Sequence, residues 1–167
     1  MKILATLVLV LAFSLVSFSQ QNVGAAAQNF SQTNMRDENV ELSRLKGKVV
    51  VLTFWSTKCR ICVSEMPKLN RLVDKYNGQA VEFLGLTMNH KQIVERFLKK
   101  KSFKYTILPN SFGVVLKYAP RDSKGRLSMG FPAHFVVDQS GTVVLMTSGF
   151  KKTKKLDSTI TKLLSSE

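Results

Sequence analysis

The sequence predicts an α/β fold: a central mixed β-sheet flanked by helices, with a short N-terminal hairpin extension. Three observations carry that prediction. Strand-like and helix-like segments alternate between residues 49 and 108. Two strand-like runs then flank Asp138-Gln139-Ser140-Gly141, the signal of an antiparallel hairpin, ahead of a last amphipathic helix. The only two cysteines, Cys59 and Cys62, sit where the strongest strand gives way to a helix, a redox arrangement expected near a βαβ pattern.

Residues 20–28 are small and polar and are expected to form a disordered lead-in. Residues 29–42 alternate around Asp37-Glu38-Asn39, the pattern of a hairpin. Lys46-Gly47-Lys48 reads as a turn. Residues 49–54 are apolar at nearly every position, as in a strand buried on both faces. After Cys62, the residues Val63, Met66, Leu69, Leu72, Val73 and Tyr76 recur at spacings of three and four, which is one face of a helix. Pro67 removes a backbone donor inside that helix and is expected to kink it near Val63. Asn77-Gly78 ends it.

Residues 81–88 read as a second buried strand. Asn89 can cap the following helix, whose apolar face is Ile93, Val94, Phe97 and Leu98. A short strand over 104–108 stops at Pro109. The hairpin strands span 133–137 and 142–147, and a helix over 153–164 buries Leu156, Ile160, Leu163 and Leu164. Strands alternating with helices, with a strand pair near the end, imply a mixed sheet covered by helices.

The 167 residues suit one domain of ordinary size, assigned to 29–167, behind a leader. Lys2 precedes an apolar run over 3–16, and Ser17-Phe18-Ser19 offers small residues before Gln20. That is the order of a secretory signal peptide over residues 1–19. The run is shorter than the roughly 20 residues that cross a bilayer, and an uncleaved membrane anchor is the alternative. The expected location is therefore the periplasm or cell envelope, where disulfides persist. The formal charge of +14 favours anionic surfaces or acidic partner proteins. Nucleic acid is not expected, because the lysines at 99–101 and 151–155 lack interleaved aromatic residues.

A Cys-x-x-Cys pair can be a redox centre, a structural disulfide or half of a zinc site. Zinc normally takes four Cys or His ligands, and here there is no second Cys pair, while His90 and His134 lie far apart in sequence. No metal and no cofactor are expected. A thiolate is the attacking species, and three features favour it at Cys59: a helix N-terminus, Lys58 before it and Arg60 after it. Cys62, one turn on and more buried, would resolve the mixed disulfide. Glu65 and His90 are candidate proton acceptors for Cys62, and Trp55 is expected to pack beside the pair.

The segment from Phe54 to Pro67, Phe-Trp-Ser-Thr-Lys-Cys-Arg-Ile-Cys-Val-Ser-Glu-Met-Pro, resembles the active-site segment of TlpA/ResA-type thioredoxin-like proteins. Leu42-Ser43-Arg44-Leu45-Lys46-Gly47-Lys48 is similar to the family's approach to its first core strand. Gly130-Phe131-Pro132-Ala133-His134-Phe135 is similar to its proline loop and hairpin. The resemblance covers residues 29–164. It implies a thioredoxin-like fold and an extracytoplasmic thiol–disulfide oxidoreductase, in a family whose members commonly serve cytochrome c maturation and related envelope tasks. It also implies a cis bond before Pro132, with Phe131 and Pro132 pairing with the extended chain of a protein or peptide substrate.

The resemblance further implies a membrane or periplasmic reductant as second partner, and the protein is expected to be a monomer. Three departures stand out. Lys58 replaces the family's usual Trp, Arg60-Ile61 fills a gap that often holds Pro, and Thr53 occupies the place of the buried acid of thioredoxins. The basic turn 121–126 lengthens the loop before Pro132 and is expected to select acidic partners. Competing readings are a peroxidase of the same fold, a copper chaperone and a non-catalytic interaction module. Against the peroxidase, no Pro-x₃-Thr-x₂-Cys pattern surrounds either cysteine.

Overall fold

In the computed structural model, which describes residues 21–166, an N-terminal hairpin pairs β1 (Ser31–Thr33) with β2 (Asn39–Glu41) in antiparallel register. The leader expected over residues 1–19 lies outside the described residues. A 3-10 turn over Leu42–Leu45 leads into β3 (Val49–Trp55), whose seven residues are all buried. The chain continues through α1 (Arg60–Lys75), β4 (Val81–Thr87), α2 (Lys91–Leu98) and β5 (Thr106–Leu108). It closes with α3 (Phe112–Tyr118), the hairpin β6 (Ala133–Val137) and β7 (Val143–Ser148), and α4 (Thr153–Leu164).

The five longer-range strands form one mixed sheet in the order β5-β4-β3-β6-β7. β3 runs parallel to β4 and antiparallel to β6, so it is covered on both edges as well as both faces. Side chains alternate along a strand. Val49, Val51 and Trp55 pack with Cys62, Met66 and Leu69 of α1, Val94 of α2, and Leu156 and Ile160 of α4. Val50, Leu52 and Phe54 face the other way, onto Val114, Val115 and Tyr118 of α3. The continuous apolar run over 49–54 is what a strand needs when helices cover both of its faces.

α3 has no counterpart among the elements read from sequence. Gly113 and two β-branched valines give its seven residues little intrinsic helicity. Burial holds it instead: the Tyr118 ring packs 5.6 Å from Phe54 and 5.2 Å from Phe135, and its hydroxyl donates to Gln28 O at 2.8 Å. Burial also pushes the Tyr118 hydroxyl pKa upward.

Residues 21–28, expected as a disordered lead-in, are ordered along the outer edge of β7. Gly24 N donates to Val143 O, Val143 N to Ala25 O, and Ala27 N to Gly141 O, at 2.8–2.9 Å. The small side chains at 24–27 let this backbone approach the strand and cover an edge that would otherwise stay unpaired. Gln21 locks the segment, its Oε1 accepting from Gln28 N at 2.9 Å. α1 is helical from end to end through Pro67. The strands at 81–87, 106–108 and 143–148 lie within two residues of their expected bounds.

Candidate active site

The last residue of β3, Trp55, is buried, and the chain leaves the sheet there as Ser56-Thr57-Lys58 before Cys59. One carboxamide organises this loop. Asn89 Oδ1 accepts from Thr57 N at 3.0 Å, from Ser56 Oγ at 3.3 Å and from Thr87 Oγ1 at 3.0 Å. Asn89 was expected to cap α2; the residue in that position is His90, which makes no side-chain cap. The parallel pairing of Trp55 with Thr87 explains the difference, because it places Asn89 beside the loop that follows Trp55, where three donors compete for its oxygen.

Cys59 is the N-cap of α1 and is joined to Cys62 in a disulfide, with the Cα atoms 5.2 Å apart. Cys62 N donates to Cys59 Sγ at 3.1 Å, so the sulfur takes one of the amides that a helix start leaves unpaired. The two sulfurs differ in access: Cys62 is 2 % exposed and sits in the α1-side core, while Cys59 is half-buried at its rim. Lys58, Arg60 and Ile61 are exposed around them.

The polar groups expected to support the pair divide. Trp55 does lie in the same apolar cluster as Cys62, its ring tilted against Phe97 at 5.4 Å and edge-to-face with Phe103 at 5.3 Å. Its Nε1 is buried and has no hydrogen-bond partner among the described residues. Glu65 is only 2 % exposed, yet its oxygens are engaged elsewhere: Oε1 with Lys68 Nζ at 3.2 Å and Oε2 with Lys151 N at 3.0 Å. It ties α1 to the loop between β7 and α4. His90 is exposed and its Nδ1 lies 2.8 Å from Asn110 Oδ1; among the described residues no hydrogen bond links it to the cysteines.

The Phe131–Pro132 bond is cis, and Phe131 is half-buried against both apolar clusters. Pro132 O accepts from Gly149 N at 2.8 Å. The 121–126 turn is closed on itself: Asp122 accepts from the backbone of Lys124 and Arg126 and from the Arg126 side chain. The Arg126 backbone and guanidinium, with Lys124 N, hold the Asp122 carboxyl below the usual carboxylate range.

A buried polar pair was not singled out from the sequence. Thr53 and His134 are register partners across β3 and β6, and Thr53 Oγ1 lies 3.0 Å from His134 Nδ1. Alternation puts Thr53 on the side of Val51 and Trp55, and His134 on the side of Val136, which is the α1-covered face. Burial pushes the His134 pKa down to about 4, so the ring is neutral at pH 7. The Tyr105 hydroxyl is buried on this face near Thr53, and burial drives its pKa up while Thr53 partly opposes the shift. The missed signal was a histidine two positions beyond Pro132 in an apolar strand.

A half-exposed sulfur at a helix start, a buried partner sulfur and a cis-proline edge together can cycle between disulfide and dithiol against an extended chain. The fold and this site define a thioredoxin-like thiol–disulfide oxidoreductase. The family model for the AhpC/TSA family matches residues 23–146, and the chain belongs to that family. It is 31 % identical over 146 residues to a thiol-disulfide oxidoreductase ResA of Bacillus cereus, covering 86 % of this chain and 80 % of the relative. The same-named protein of Halalkalibacterium halodurans is 29 % identical over 133 residues, covering 78 % and 71 %. A thiol:disulfide interchange protein of Chlorobium tepidum shares the fold with a TM-score of 0.72 at 21 % identity, covering 86 % of this chain and 99 % of that one.

Proposed function

We propose that the chain works in the cell envelope on protein disulfides, with Cys59 as nucleophile and Cys62 as resolving thiol. The observation that carries this is the asymmetry of the pair: Cys59 Sγ is reachable and accepts an amide hydrogen bond, while Cys62 is enclosed. In the reduced protein, the Cys59 thiolate attacks one sulfur of a partner's disulfide. The new Cys59–partner bond forms and a partner thiolate leaves. Cys62, losing its proton, then attacks Cys59 Sγ, closing the internal disulfide and releasing the second partner thiolate. Two electrons pass to the partner, and a membrane or periplasmic dithiol must return them.

The α1 N-terminus favours the Cys59 thiolate through its amide and its dipole, with Lys58 and Arg60 adding positive charge nearby. The backbone beside Pro132, at Phe131, offers strand pairing to the partner, since Pro132 itself has no N–H and its O is held by Gly149 N. Trp55 holds the wall behind the sulfurs. Glu65 supports the site by fixing the 149–151 loop, and His90 by its place after the Asn89 clamp. Export rests on the leader pattern in residues 1–19, and cytochrome c maturation is one envelope task that fits.

The test is reduction of a disulfide-linked protein substrate by the dithiothreitol-recharged chain, against Cys59→Ser and against peroxide as an alternative oxidant. Turnover that depends on Cys59 and prefers the protein disulfide supports the reading. Peroxide consumption as the dominant activity would replace it. N-terminal sequencing of the envelope fraction tests removal of the leader.

A further inference from the structure

The loop after β7 is built against both the cis-proline edge and α1. Gly149 N is bonded to Pro132 O, and Glu65 holds Lys151 N. Between them Phe150 remains 46 % exposed. Lys68 Nζ and Lys151 Nζ lie 5.3 and 5.5 Å from the centroid of its ring. A half-exposed aromatic ring with two ammonium groups near it, directly after the residue bonded to Pro132 O, is placed to meet whatever docks there.

Lys68 also begins a groove of about 280 Å³ between α1 and α4, lined by Arg71, Leu72, Lys75, Lys154 and Asp157. Its one acid is already taken: Asp157 accepts from Lys75 Nζ at 2.6 Å and from the Tyr76 hydroxyl at 2.5 Å. Among the described residues no ion pair engages Arg71 or Lys154. Lysines on a helix are ordinarily just solvated. Here the cations line a concave strip with an apolar floor at Leu72, and Lys68 joins that strip to Phe150 and the Pro132 edge. The 121–126 turn, by contrast, spends its arginines on its own Asp122 and Gly125 O.

We propose that Phe150 and the α1–α4 groove select the partner protein, taking a segment in which an apolar residue and then a run of Asp or Glu flank the reactive cysteine. This rests on the oxidoreductase reading. As the partner's chain adds along the Pro132 edge, its flank crosses Phe150. The apolar side chain covers the ring, and the carboxylates enter the strip at Arg71 and Lys154, with Lys68, already paired to Glu65, at its mouth. Charge complementarity of this kind speeds encounter and excludes basic partners.

The experiment uses peptide disulfides identical except for a flank of Leu followed by Asp or by Lys residues, reduced in single turnover by the dithiol form of the full chain. The acidic flank is expected to react faster. Arg71→Gln with Lys154→Gln should cut that preference roughly threefold to thirtyfold, and salt of about 0.5 M should shrink it in the unmodified protein. Phe150→Ser should slow the Leu-flanked peptide but not its Gly-flanked counterpart. Equal rates on both flanks, or a preference that survives the double substitution, would overturn the proposal while leaving the redox chemistry standing. Reduction of neither peptide would bring down the oxidoreductase reading itself. Binding to phosphatidylglycerol vesicles that the double substitution abolishes, with no peptide preference, would assign the groove to a lipid surface and also overturn it.

Discussion

Thr53 Oγ1 and His134 Nδ1 stand 3.0 Å apart in the buried face of the sheet behind the disulfide, joined across β3 and β6 by strand register. A hydroxyl and an imidazole thus satisfy one another where unpaired polar atoms would be costly, at about 1–3 kcal/mol each. Burial keeps the histidine neutral by disfavouring the imidazolium.

Stability should therefore carry a signature of His134. Its folded pKa is near 4, against about 6.5 in an unfolded chain. Between those values the unfolded state binds a proton that the folded state refuses. The stabilisation is fully present above pH 6.5 and drains away as pH falls toward 4, by about 3 kcal/mol in all. His134→Asn retains a partner for Thr53 and cannot titrate. Urea unfolding at pH 7 and pH 4.5 should show a smaller acid loss in the variant, and equal losses would contradict the assignment.

Asn89→Ala removes the acceptor shared by Thr57 N, Ser56 Oγ and Thr87 Oγ1. Leaving such donors unpaired should cost about 1–3 kcal/mol of stability and loosen the chain just before Cys59. Hydrogen exchange at the Thr57 amide is the direct readout. Faster exchange there, with the α4 amides unchanged, is expected; an unaltered Thr57 would show that Asn89 does not hold the loop.

Gly85 lies beneath the one tryptophan. A Cβ at this position would meet Ile107 Cδ1 at 2.8 Å, Trp55 Nε1 at 3.2 Å and Phe103 Cε1 at 3.3 Å. The isoleucine tip can shift, but the two rings are packed against each other. Gly85→Ala should destabilise by about 1–3 kcal/mol and move the Trp55 emission, measured by fluorescence-detected unfolding. Unchanged stability and emission would mean that this wall of the site is slack.

Much of the frame was legible because its signals are local. The apolar run into Trp55 needs both faces covered, and the three-and-four spacing from Val63 to Tyr76 has one helical solution. Cys59 and Cys62, the chain's two cysteines, then fall at a strand-to-helix junction. α3 was hidden because its helicity comes from burying Val114, Val115 and Tyr118, against the preferences of its own residues. The order at 21–28 depends on β7, more than a hundred residues away, lending its edge.

The site's polar details follow the same division. Cys59 as an N-cap is a neighbour effect that spacing reveals. Asn89 was misread because an asparagine before a helical period usually caps it, and only the β3–β4 pairing shows who else wants its oxygen. Glu65 lies three residues after Cys62, but its oxygens reach Lys68 and Lys151. His134 could be matched to Thr53 only once the β3–β6 register was known.

The proposed chemistry divides the labour between the two cysteines, with Cys59 attacking and Cys62 resolving. Cys62→Ala should leave Cys59 able to attack a partner disulfide but unable to be released, so a mixed disulfide accumulates, reducible by dithiothreitol, with the partner peptide linked at Cys59 by mass spectrometry. Cys59→Ala should trap almost nothing, since Cys62 is sealed in the core. Accumulation of the adduct on Cys62 in the Cys59→Ala protein, at a level equal to or above that on Cys59, would contradict the assignment.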